Sequence, residues 1–155
     1  MYYKRNNKRL SVSGRGDYMS TSDFIIQYYT NLDACRKFFF DIKWPTGYYC
    51  EKCGCTHYYF MKTKNCYRCA NCKHDERLLS NTIFQDNKLP LNVLLYGLFL
   101  IFTASNGISS MELSKELKVN YKTACLLQTK ARILMKNSNS KKFLALGNER
   151  GKLLR

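Results

Sequence analysis

Cys50-Glu51-Lys52-Cys53 and Cys69-Ala70-Asn71-Cys72 are the stretches on which the reading of this chain turns. Two cysteines three apart on a tight turn can aim both sulfurs at one ion, and a second such turn across a hairpin completes a closed tetrahedron. Fifteen residues separate the pairs, which falls within zinc-site spacing. Gly54, directly after Cys53, suits the turn because glycine reaches backbone angles other residues avoid. The register is not unique. Cys66-Tyr67-Arg68-Cys69 has the same spacing, Cys55 lies two after Cys53, and His57 and His74 are near enough to substitute. Cys50, Cys53, Cys69 and Cys72 are preferred because they put two symmetric turns at the ends of one hairpin. Four thiolates leave no open position, so the expectation is one structural Zn2+ and no catalytic metal. A hairpin of this size has almost no hydrophobic core, so the ion should supply most of its folding energy.

Working outward, residues 44–80 read as a zinc-ribbon, with Tyr58-Tyr59-Phe60 as strand. Upstream, Thr21-Ser22-Asp23 is a helix start. Phe24, Ile25, Tyr28, Leu32, Cys35 and Phe39 then recur at helical spacing, which predicts one helix over about 22–40. Trp44-Pro45-Thr46-Gly47 ends it. Downstream, Pro90 suits a first helical turn, and the periodicity predicts helices over about 90–104, 109–117 and 121–135. The fold class is therefore mainly α with a small β zinc-ribbon. Its expected parts are a disordered basic tail (1–20), an N-terminal helix (21–43), the ribbon (44–80), a helix-turn-helix (88–136) and a basic linker-like tail (137–155).

The chain has 155 residues, 26 Lys and Arg against 11 Asp and Glu, and a net charge of +15. Such an excess calls for an anionic partner. No secretory signal opens the chain, so its eight cysteines are not read as disulfides. The most apolar run, Leu91 to Ala104, is too short for a bilayer span. The expected setting is cytoplasmic or nucleoid-associated (nuclear in a eukaryote), without a membrane partner. Cys35 and Cys125 fall on predicted helices and read as packing residues.

Three helices joined by the short Lys118-Val119-Asn120 turn fit a helix-turn-helix, whose second helix enters the major groove of duplex DNA. Ala124, Leu127, Ala131 and Leu134 define the buried stripe of that helix. Lys122 and Thr123 then sit at its groove-facing end, Lys130 and Arg132 near phosphates, and Lys115 and Lys118 at the turn. The expected DNA contacts are Lys118, Tyr121, Lys122, Thr123, Thr129, Lys130 and Arg132. Leu126 and Ile133 on the same face suit another domain or a second subunit better than DNA.

The order of motifs is also familiar. Trp44-Pro45-x-Gly47, Cys50-x2-Cys53-Gly54, Tyr67-x-Cys69-x2-Cys72, Thr82-Ile83-Phe84, Lys88-x-Pro90-Leu91, Gly107-Ile108-Ser109 and Leu117-x-Val119-x-Tyr121-Lys122-Thr123-Ala124 occur in sequence. This resembles the N-terminal region of insertion-sequence transposases of the ISXO/Merlin group, over about residues 22–136. The resemblance implies a zinc-ribbon and helix-turn-helix that recognise terminal inverted repeats, with metal ligands at Cys50, Cys53, Cys69 and Cys72. It also allows a second copy or a full-length transposase as partner. This chain departs from the group at Glu51 (usually Pro), Asn81 (usually Gly) and Cys125 (usually Trp). The group's catalytic domain carries three metal-binding carboxylates, whereas only Glu149 follows Glu116 here. The expectation is a truncated transposase that does not cut or join DNA by itself, with a stand-alone zinc-ribbon/helix-turn-helix transcriptional regulator as the alternative.

Overall fold

A computed structural model describes residues 21–104 and 106–136. The two expected basic tails, 1–20 and 137–155, lie outside the described residues. The elements are α1 (Thr21–Phe24) running into a π-helical turn (Ile25–Tyr29), α2 (Leu32–Lys43), β1 (Tyr58–Met61), β2 (Cys66–Cys69), β3 (Asp75–Glu76), α3 (Leu91–Thr103), α4 (Ser110–Leu117) and α5 (Tyr121–Lys136).

The single helix expected over 22–40 is in fact broken. Thr30 donates its N–H to Ile25 O, closing a wider turn, and Asn31 leaves helical geometry altogether. The Asn31 side chain then accepts from the N–H groups of Asp33 and Ala34 at 3.1 Å each, capping α2 afresh. Ahead of the break, two aromatic rings press on α3. Phe24 stacks on Phe99 of α3 at 4.1 Å between centroids, and Tyr29 meets Tyr96 edge-on.

Helix α2 ends where Pro45 forbids its continuation, and Gly47 takes a φ of +102° to reverse the chain. The strands form one antiparallel sheet in the order β1-β2-β3, with Tyr58 opposite Cys69 and Tyr67 opposite Glu76. This sheet is not free-standing. Phe40 from α2 lies 4.8 Å from Trp44 and 5.2 Å from Tyr67, and Trp44 lies 5.5 Å from Tyr67. The sequence reading gave the hairpin almost no apolar core. It has one because α2 is laid against it.

Helix α3 is buried around its whole circumference from Leu94 to Phe99, as expected of its unbroken apolar run. Pro90 stands one residue earlier than expected, at the cap, where its carbonyl accepts the Leu94 N–H. Helix α4 begins with a capping box: Ser109 Oγ accepts from Glu112 N–H, and Glu112 accepts from Ser109 N–H. Lys118 takes left-handed backbone angles to end α4, and Asn120 Oδ1 accepts the Lys122 N–H to start α5.

Gly97 of α3 is where α4 and α5 close in. A methyl built on it would stand 2.6 Å from Leu127 Cδ2 and 2.8 Å from Leu117 Cδ1. Gly97→Val is therefore expected to destabilise the protein by about 1–3 kcal/mol, because two buried leucines must leave their places together. An unchanged urea midpoint, followed by helical circular dichroism, would show that the three helices do not meet there.

Candidate metal centre

Two loops present the four predicted ligands. The first, Cys50–Cys55, precedes β1; the second, Cys69–His74, joins β2 to β3. They are built alike. Cys50 N–H donates to Cys55 O at 2.9 Å, and Cys69 N–H donates to His74 O at 2.9 Å. In each loop the fifth residue is left-handed: Gly54 at φ +70° and Lys73 at φ +60°. The residue after it turns its N–H on the second sulfur, so Cys55 N–H serves Cys53 Sγ and His74 N–H serves Cys72 Sγ.

This symmetry resolves the register. Cys55 and His74 hold equivalent places, and both contribute their backbone to the loop rather than a ligand. Cys66 pairs with Met61 at the far end of the β1–β2 ladder from Cys69. Among the described residues, Cys50, Cys53, Cys69 and Cys72 are the one such group able to share an ion, with their sulfurs within 4.8 Å of one another. The Cys50–Cys72 and Cys53–Cys69 sulfurs are each 3.5 Å apart. A zinc tetrahedron with bonds of about 2.3 Å has edges of roughly 3.8 Å, so small adjustments suffice. The residues fit one structural Zn2+, which here would cross-link two loops and leave no position for substrate.

The cluster is also electrically prepared. The Cys55 N–H, followed by the neighbouring thiols, holds Cys53 down at about 6, so a thiolate stands ready at neutral pH. Cys72 goes the other way. His74 N–H pulls it down, but desolvation and the other sulfurs outweigh that and push it up to about 12. Cys53 and Cys72 are thus shifted in opposite directions, and metal binding must displace any thiol proton. Cys50 and Cys69 are buried while Cys53 and Cys72 are exposed. Tyr48 lies beside the buried pair. Burial, then the charges of Cys50, Cys69 and Glu76, push its hydroxyl up, so it remains a proton donor.

The loops are anchored from outside. Asn81 Nδ2 donates to Glu51 Oε2 at 2.8 Å, tying the first loop to the segment that leads to α3. Asn81 has a φ of +59°, a left-handed angle that Asn tolerates better than most residues. Lys43 at the end of α2 sits 2.7 Å from the buried Glu76 of β3 and donates to the carbonyls of Arg77 and Ser80.

Of the residues expected to contact DNA, Lys118, Tyr121, Lys122, Thr129 and Arg132 are exposed and Thr123 is half-buried. Lys130 is different: its ammonium lies 5.9 Å from the Phe84 ring centre, on the side of α5 that faces the ribbon's exit segment. Of the expected buried stripe of α5, Ala124, Leu127 and Ala131 lie in the core and Leu134 is half-buried against it. Gln128 was missed. It is buried, bonded to Ser110 Oγ at 2.6 Å and to Ile108 O, and fastens α5 to the start of α4. Leu126 and Ile133 are exposed, as expected. Cys35 is buried and its thiol pushed up to about 12 by desolvation, which makes it inert. Cys125 contacts Ser110 and Tyr121, whose hydroxyls lower its pKa. Among the described residues no helix is long and apolar enough to cross a membrane.

No curated protein and no solved structure matches the chain. Residues 31–75, which take in α2, both cysteine loops and the start of β3, match the family model of the transposase zinc-ribbon domain.

Proposed function

We propose that this chain is the DNA-binding part of a transposase, which recognises terminal inverted repeats and performs no strand chemistry by itself. The observation that carries the reading is the company the ribbon keeps. A transposase-type ribbon shares one core with α3–α5, and α5 begins at a turn that exposes Lys118, Tyr121 and Lys122 together. In this reading α4 and α5 form a helix-turn-helix, and Lys122 and Thr123 meet base edges in the major groove. Lys118, Tyr121, Thr129 and Arg132 meet the backbone. Lys130, occupied with Phe84, belongs to the support of the helix. The net charge of +15 supplies the sequence-independent attraction. The closed four-thiolate donor set supports a structural role for the metal and not a catalytic one. A second copy or a full-length transposase is the natural protein partner, and the nucleoid (or nucleus) the expected place of action.

The test is to select a preferred site from random duplexes and to measure anisotropy on that site and on a scrambled one. Affinity should fall steeply as salt rises. Lys122→Ala should lower the preference for the selected site by about fivefold or more, the scale of one lost base contact. Lys141→Ala should weaken both duplexes equally. Equal losses in the two variants, or no binding at low salt, would refute the reading.

A further inference from the structure

We propose that the outer face of the ribbon's sheet binds unpaired, single-stranded DNA, with Tyr59 stacking on a base and Lys64, Lys73 and Arg77 meeting the phosphates around it. The site lies on a different element from the duplex contacts assigned to α5 and does not need them. Only the choice of DNA over RNA rests on the transposase reading.

Successive side chains of a strand point to opposite faces of its sheet. In β1, Tyr58 and Phe60 take the inner face, where both meet Tyr67 and Tyr58 also meets Phe40 of α2. Tyr59 therefore takes the outer face. It is 55% exposed, so the core gains little from its ring. Across the strands it stands in one row with Arg68 and then Asp75. Asp75 accepts from Arg68 Nε and Nη2 at 2.5 and 2.7 Å. Two parallel bonds of this kind fix a guanidinium plane, so the row sets one ring beside one held cation.

The charge around that row is one-sided. From Tyr58 to Arg77 the chain holds five Lys and Arg against two carboxylates. Of these two, Glu76 is buried on the inner face with Lys43, and Asp75 is taken up by Arg68. Lys64, Asp75 and Arg77 line one open depression, which places both cations on the outer side. The Lys73 ammonium lies 5.8 Å from the Tyr59 ring centre. An exposed ring alone is ordinary on a protein surface. A ring edged by cations, with the nearby acids already neutralised, offers what a nucleotide requires: a flat surface for the base and positive charge for the phosphate. In a duplex the base faces are covered by one another, so a ring on a sheet reaches a base face where the strand is unpaired.

The rest of the chain's charge attracts any strand, so the decisive quantity is the difference between two probes. The full chain, loaded with zinc, is titrated by anisotropy into labelled oligothymidylate of about ten nucleotides and into an abasic strand with the same number of phosphates. Tyr59→Leu should weaken binding of oligothymidylate about five- to hundredfold, the worth of one stacked base, and leave the abasic strand unchanged. Lys64→Ala combined with Arg77→Ala should weaken both and lower the slope of log affinity against log salt by about 0.7 for each cation lost. Lys122→Ala should not alter the ratio between the two probes, so this proposal and the duplex reading fail separately. If Tyr59→Leu does not fold, Tyr59→Trp keeps the test, since its added emission should be quenched by oligothymidylate and not by the abasic strand. No loss in Tyr59→Leu, equal losses on both probes, or an unquenched Tyr59→Trp overturns the proposal. A preference of about tenfold or more for oligouridylate overturns it as well, by assigning the face to RNA.

Discussion

Cys69→Ser, purified from zinc-containing medium, should carry well under half a zinc per chain where the wild type carries about one, and its ribbon should unfold. The effect is large because the ion's contribution is large: about 10–16 kcal/mol for structural zinc in small domains, against about 5–15 kcal/mol for the stability of a typical whole protein. The site also reaches into the core. Cys50 and Cys69 are part of the same buried cluster as Trp44, Tyr48 and Tyr67, so losing the ion uncovers apolar surface as well as freeing two loops. Trp44 is the chain's one tryptophan and reports on this directly. Its emission should shift to the red in the variant, while most of the helical signal of α3–α5 survives. Full zinc content in Cys69→Ser would remove Cys69 from the ligand set. Zinc loss with unchanged Trp44 emission would mean that the aromatic cluster holds the ribbon unaided.

What could be read from the sequence was whatever depends on spacing. The two Cys-x2-Cys turns, the short strand at Tyr58, the buried run of α3 and the inner stripe of α5 are periodic signals, and the structure contains them. The match of residues 31–75 to the transposase zinc-ribbon domain agrees with the first of these. Two signals were present in the sequence and passed over. Asn31 with Asp33 marks a second helix start inside the supposed 22–40 helix, but the apolar periodicity of Phe24 to Phe39 runs across the break and hides it. Ser109-Ser110-Met111-Glu112 spells a capping box. Other features depend on the folded partner and left no local trace. Gln128 reads as a surface residue until Ser110 and Ile108 are brought to it. Nothing near Lys130 in sequence announces that its ammonium lies 5.9 Å from the Phe84 ring centre. That α2 completes the ribbon's core was hidden for the same reason, since Phe40 and Tyr67 are distant in sequence and touch only after the Trp44–Gly47 reversal.

Lys43→Ala should destabilise the protein by about 3–5 kcal/mol, the scale on which a buried charge left without its partner is costly. Glu76 is 2% exposed and Lys43 10%, and neither Glu76 oxygen has an aligned hydrogen bond, so Lys43 at 2.7 Å is what offsets the carboxylate's burial. The same ammonium satisfies the carbonyls of Arg77 and Ser80 and lies 5.0 Å from the Trp44 ring centre, which fastens the end of α2 to everything that follows β3. The double variant Lys43→Met with Glu76→Leu removes both charges and should recover much of the loss, though not all, because the two carbonyls still lack their donor. Urea unfolding of the wild type, both single variants and the double variant isolates the pair from those carbonyls. A cost below about 1 kcal/mol for Lys43→Ala would mean that water reaches the pair, the behaviour of an exposed ion pair, and that β3 is not clamped to α2. With the clamp in place, ion and ion pair both hold the β2–β3 hairpin, the ion through Cys69 and Cys72 and the ion pair through Glu76. Folding of the ribbon and binding of its metal are then a single equilibrium, so Lys43→Ala should also weaken zinc affinity although Lys43 touches no ligand.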